Sequence, residues 1–214
     1  FDGFRTSHEY HKVELMDMED LRPLVDEADI KNFRDRALTP ERPVTRGTAE
    51  NPETFFTHRE ACNAYYDAIP DVVEHYLAEI SKITGREYHN FSYYGAEDAE
   101  NIIILMGSAT EAAREAIDHL VAEGKKVGMV AVHLYRPFSV KHLFAAVPAT
   151  VKKIAVLDRT KEPGAEGEPL YLDVKSAYYD QENRPVIVGG RYGLGSSDIT
   201  PAKIISVFNN LELP

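Results

Sequence analysis

The chain has 214 residues, with 35 Asp and Glu against 24 Lys and Arg, for a formal net charge of -11. Such a balance excludes a nucleic-acid surface, where phosphates must be met by concentrated positive charge. Hydrophobic residues make up 43% of the chain, enough to fill one full-sized core. The longest apolar runs, Ile102–Met106 and Val127–Leu134, have the length of buried strands and not of a membrane span.

Cys62 is the one cysteine, which excludes an internal disulfide framework and a thiolate-only metal site. There is no secretory pattern, and the cytoplasm is the expected compartment. The sequence opens at Phe1 without an initiator Met and stops at Pro214 behind a helical stretch. It therefore reads as a piece of a longer polypeptide whose first residues belong to a preceding domain.

Residues 1–50 show little stable period and read as a leader from that preceding domain. HKVELMDMEDLRPLV offers a short edge strand, a turn and a short helix, and Pro40 and Pro43 punctuate the stretch leading to Gly47. Residues 51–100 read as a helical and aromatic connecting segment. Thr54–Tyr66 is expected as one helix, and Pro70 as the start of a second, on which Val73, Tyr76, Leu77 and Ile80 repeat at helical spacing. Gly85 is the expected cap. Tyr88, Phe91, Tyr93 and Tyr94 read as packing between that helix and its neighbours.

From residue 101 to 214 the pattern becomes regular. Asn101–Met106 is a strand buried on both faces, and Ser108 to Glu111 matches a capping box for a helix over Ala109–Glu123. Val127–Leu134 is a second strand, and Ser139 caps a short helix containing Leu143 and Phe144. Ile154–Leu157 is a third strand, the turn Thr160–Gly167 leads to a helix over Pro169–Tyr179, and Pro185–Gly189 is a fourth strand. Thr200 and Pro201 open a last helix running to about Asn209. Continuous rather than alternating hydrophobicity means both sheet faces are covered. The expected fold is α/β, an open, mostly parallel Rossmann-like sheet with helices on both faces, behind an extended and helical leader.

Function in such sheets gathers at the strands' carboxyl ends. The loop from Gly107 to Thr110 lacks the glycine spacing of a nucleotide fingerprint and reads as a helix start. GGRYGLGSS permits an anion nest with Arg191, but its glycines equally suit a loop folded against a partner. Arg191 and Tyr192 are then its recognition groups, and Arg191 is expected to be idle in the isolated chain. Asp158 is expected to pair with Arg159 or Arg136 across the strand ends, and Glu166 and Glu168 to favour a helix's positive end. His133 ends a strand, where it suits a hydrogen bond into a domain boundary. The eight histidines have no metal-ligand spacing.

FDGFRTSHE (1–9), YRPFS (135–139), DRTKEPGAEGEPLYLDV (158–174) and GGRYGLGSSDITPA (189–202) together resemble pyruvate:ferredoxin (flavodoxin) oxidoreductase. The likeness runs from the end of that family's first domain through its second, which is akin to the transketolase C-terminal domain. It implies an enzyme of anaerobic metabolism that oxidatively decarboxylates pyruvate to acetyl-CoA. It also implies thiamine diphosphate, magnesium, iron–sulfur clusters and coenzyme A for the whole enzyme, with ferredoxin or flavodoxin as electron acceptor and a homodimer. None of these cofactors is expected within this chain, whose implied partners are the other domains of the same polypeptide; no nucleic acid or membrane is among them. The expected role is a structural and interdomain module, inactive alone. Interdomain contacts are implied for Arg5, Thr6, His8, Arg136, Asp158, Arg159, Arg191 and Tyr192. The alternative is an independent domain binding a phosphate-bearing ligand such as coenzyme A.

Overall fold

A computed structural model of the chain describes residues 8, 10, 12–44, 47 and 49–213. It divides into two compact units, one over His11–Glu87 and one built on Tyr88–Pro214.

The first unit is helical. Helix α1 (Met18–Leu21) passes through a 3-10 turn (Arg22–Leu24) to α2 (Glu27–Asp35). Among the described residues before α1, 12–17, the expected edge strand is not formed. Helix α2 has no buried residue. It is held by Asp26, whose carboxylate accepts the Ala28 N–H at 2.8 Å, and by the Lys31–Asp35 pair one turn apart.

Helices α3 (Pro52–Ala61) and α4 (Asn63–Thr84) come next. The break falls at Cys62, whose carbonyl restarts the ladder by accepting from Tyr65 and Tyr66. Pro70 does not begin a helix as expected; it lies inside α4, buried. A proline deprives the ladder of one N–H, and a helix of 22 residues keeps its other bonds on either side. Gly85 closes α4 as the spacing predicts, at φ +68° with its N–H on Ser81 O.

The second unit is a five-stranded sheet in the order β1-β3-β2-β4-β5. Its strands are β1 (Phe91–Gly95), β2 (Asn101–Leu105), β3 (Val127–Val132), β4 (Lys153–Asp158) and β5 (Val186–Arg191). Four run parallel as expected, and β1 pairs antiparallel with β3 at one edge. Of the residues read as aromatic packing, Phe91, Tyr93 and Tyr94 thus lie in a strand, and Tyr88 precedes it. The close approach of β1 to β3 depends on glycine: a Cβ on Gly95 would lie 2.4 Å from Gly128 Cα, and one on Gly128 would strike the Tyr93 ring.

Helices α5 (Ala109–Ala122) and α8 (Pro201–Glu212) cover one face, with Ile103, Met129 and Leu157 beneath them. Helices α6 (Val140–Ala146) and α7 (Pro169–Ala177) cover the other, over Ile102, Ile104, Val130 and Val156. The three isoleucines of β2 are fully buried and alternate between the two cores. Each such burial stabilises by about 1.5–3 kcal/mol. Ser139 and Thr200 cap α6 and α8 as expected. Ser108 does not form the expected capping box. Its backbone is already helical and its side chain makes no cap bond, while Thr110 donates to Gly107 O at 2.9 Å.

Candidate functional site

The helix after β2 lies on one face of the sheet and the helix after β4 on the other. The carboxyl ends of β2 and β4 are therefore the switch point where such sheets place ligands. Tyr192 spans it. Its hydroxyl donates to Met106 O beyond β2 at 3.0 Å, and its N–H donates to Asp158 O at the end of β4 at 3.1 Å. The side chain also packs against the α5/α8 core.

Asp158 is buried at 5% exposure, and its carboxylate accepts the N–H groups of Leu170 and Tyr171 at 3.0 and 3.1 Å. It caps the start of α7 rather than pairing with Arg159 or Arg136, because the turn brings the helix's free donors directly over the strand end. Burial raises its pKa, opposed by those two N–H groups and reinforced by the charges of Glu168 and Asp173.

Glu168 precedes α7 and is 2% exposed. It occupies the N-cap position of α7, at the helix's positive end, without a side-chain cap bond. It accepts the Glu162 N–H at 2.7 Å, binds Arg191 Nε and lies 3.8 Å from Lys161 Nζ. Burial pushes its carboxyl upward, but Arg191, the Glu162 N–H and Lys161 more than offset this and hold it below the ordinary value of 4.5. The turn 159–168 is thus pinned at both ends by buried carboxylates.

Arg191, expected to be idle within the chain, is committed to Glu168. Arg159 Nε donates to Gly193 O at 3.3 Å, where Gly193 adopts φ +66° and a Cβ would meet the arginine. Arg136 lies 4.0 Å over the Tyr135 ring and donates to Asp173 Oδ2 at 2.6 Å; Tyr135 OH donates to the same oxygen at 2.7 Å. His133 Nδ1 lies 2.8 Å from His89 O and 3.4 Å from Ser92 Oγ, so it bonds within the domain beside β1. His8 is exposed, and Arg5 and Thr6 lie outside the described residues.

The structure thereby joins Asp158, Glu168, Arg191 and Tyr192 around one loop system and leaves Arg136 in a separate group with Tyr135 and Asp173. The Glu168–Arg191 pair, Tyr135 and Asp173 were missed. Arg191 and Glu168 are 23 positions apart, and local spacing carries no sign of their meeting. It requires the register that sets Asp158 opposite Arg191.

The described residues do not fit a metal or cluster. No group of three or more His, Cys, Asp or Glu among them could hold an ion. Cys62 Sγ donates to His58 O at 3.3 Å in a lone i,i-4 contact, and a cluster needs several thiolates. Among the described residues no helix is long and apolar enough to cross a membrane.

Residues 99–204 match the family described as pyruvate:ferredoxin oxidoreductase core domain II. Residues 1–78 match pyruvate flavodoxin/ferredoxin oxidoreductase, thiamine diphosphate-binding. A pyruvate-flavodoxin oxidoreductase of Enterobacter agglomerans is 60% identical over 99% of the chain, and a pyruvate:ferredoxin oxidoreductase of Moorella thermoacetica is 51% identical over 99%. The chain spans 18% of the length of each. Among solved structures, a 2-oxoglutarate:ferredoxin oxidoreductase from Magnetococcus marinus matches with a TM-score of 0.44 and 26% identity. That match covers 62% of this chain and 21% of the other.

Proposed function

Because the chain belongs to the pyruvate:ferredoxin (flavodoxin) oxidoreductase family, we propose that it acts as a structural and interdomain module of such an enzyme. The whole enzyme oxidatively decarboxylates pyruvate to acetyl-CoA. Thiamine diphosphate, magnesium, iron–sulfur clusters and coenzyme A serve that reaction in the whole enzyme, within a homodimer that passes electrons to ferredoxin or flavodoxin.

The observation that carries this reading is the use made of the polar groups at the strand ends. Asp158, Glu168, Arg191 and Tyr192 each spend their bonds inside the domain, fixing the turn 159–168 and the glycine loop behind it. A rigid loop surface is what a docking module has to offer, because little ordering remains to be done on association. Arg136 and Arg191, with side chains 55% and 43% exposed, retain surface for a neighbouring domain. Asp158 and Tyr192 would act there by shaping the loops. Arg159 joins the same surface through its bond to Gly193.

A coenzyme A site built on Arg191 is disfavoured by the same geometry, since Glu168 already balances that charge. Calorimetric titration of the chain with coenzyme A, thiamine diphosphate and pyruvate is expected to give no saturable heat. Saturable coenzyme A binding that is abolished by Arg191→Ala would overturn the module reading in favour of the ligand-binding one.

A further inference from the structure

Among the described residues β5 is a sheet edge that pairs with β4 alone. Two bonds fix the direction of its backbone groups. Val186 donates its N–H to Lys152 O at 2.8 Å, and Tyr192, just past the strand, donates to Asp158 O at 3.1 Å. Peptide groups alternate sides along a strand. Val186, Val188 and Gly190 therefore aim theirs at β4, and Ile187, Gly189 and Arg191 aim theirs away from the sheet.

The side chains sort the same way. Ile187 packs in the α6/α7 core, a Cβ on Gly189 would meet Tyr171 of α7, and Arg191 reaches Glu168. On the other face a Cβ on Gly190 would meet Leu157, which belongs to the α5/α8 core. Val186 and Val188 share that face yet are 58% and 37% exposed. An edge of this kind is ordinarily blunted by a lysine, a proline or a bulge. Pro185 stands directly before β5 and Arg191 ends it, but Val186–Gly190 between them contains no lysine or proline, and its register with β4 is unbroken.

We propose that a strand from another part of the same polypeptide pairs with β5, extending the sheet and covering Val186 and Val188. The inference rests on the interdomain-module reading. The relatives' chains are more than five times longer than this one, so most of the polypeptide is available to supply the strand. An intramolecular segment also binds at high effective concentration. A second copy is the poorer occupant, because both chains would carry a net charge of -11. Strand addition draws affinity from the three outward peptide groups and specificity from side chains that meet the exposed valines.

Residue-resolved hydrogen exchange on the full-length enzyme tests this with its own internal control. Val186, Val188 and Gly190 are protected by β4 in every case. If the strand is present, Ile187, Gly189 and Arg191 exchange within about tenfold of those three, whereas a bare edge leaves them at least ~100-fold faster and overturns the proposal. Val188→Lys in the full-length enzyme is expected to speed Ile187 and Gly189 by at least about tenfold. Unchanged protection in that variant, or protection lost on dilution as a second copy would give, also overturns it. Fast outward amides together with absent coenzyme A binding would remove the added strand and leave the module reading standing.

Discussion

Glu168 and Arg191 meet because β4 and β5 run parallel with Asp158 opposite Arg191, so the turn behind β4 returns its glutamate to the end of β5. Removing the arginine leaves a buried carboxylate with only the Glu162 N–H and a distant Lys161. Arg191→Ala is therefore expected to lower the melting temperature of the chain by roughly 3–6 °C, with Arg191→Lys intermediate. An unchanged melting temperature would show the pair to be idle. The pair also sets a pH dependence. A carboxyl held below its ordinary 4.5 contributes stability that is whole above that pH and is lost as pH falls through the lowered value. Asp158 works in the opposite sense. Its raised pKa, caused first by burial, costs stability as pH rises from 3.8 through the raised value. The melting difference between the unsubstituted chain and Glu168→Gln should thus narrow from about pH 6 to about pH 3, and a difference constant over that range would contradict the assignment. At this scale the sequence announces residue types but not their pairings. It marks Asp158 and Arg191 as noteworthy, yet their partners lie on other elements and appear only with the sheet register.

Most elements were legible from an apolar run, a cap or helical spacing, α3 among them although it buries nothing. Strands β2 to β5 and helices α5 to α8 carry apolar runs or caps that set their type from local pattern alone. Helix α2 buries nothing, so its Asp26 cap stands without a core contact to support it, and Pro70 misleads because proline is commoner at a helix start than within one. Strand β1 was obscured differently, since Tyr93 and Tyr94 suit packing and pairing equally. Tyr93 is the more constrained: its hydroxyl donates to Ala96 O, and burial, followed by the charge of Asp98, pushes its pKa up to about 12. The ring occupies the space above Gly128. Gly128→Ala should consequently overpack the β1–β3 contact and cost about 1–3 kcal/mol in chemical denaturation. A loss below a few tenths of a kcal/mol would mean that Tyr93 swings aside freely.

For the whole molecule, the parallel α/β class was legible from composition and period, while the strand order and the antiparallel edge depended on long-range pairing. The chain is expected to show no pyruvate oxidation when supplied with all cofactors and an electron acceptor, and turnover surviving removal of full-length enzyme would refute this. These loops are expected to hold the assembly together without touching the reacting molecules. The most direct test of this is steady-state kinetics of full-length Arg191→Ala, with turnover normalised to the assembled fraction measured by light scattering. A reduced assembled fraction is expected, with kcat and the KM values for pyruvate and coenzyme A each within about twofold of the unsubstituted enzyme. A fully assembled variant whose KM for coenzyme A rises about tenfold or more would contradict it and place Arg191 in a substrate site.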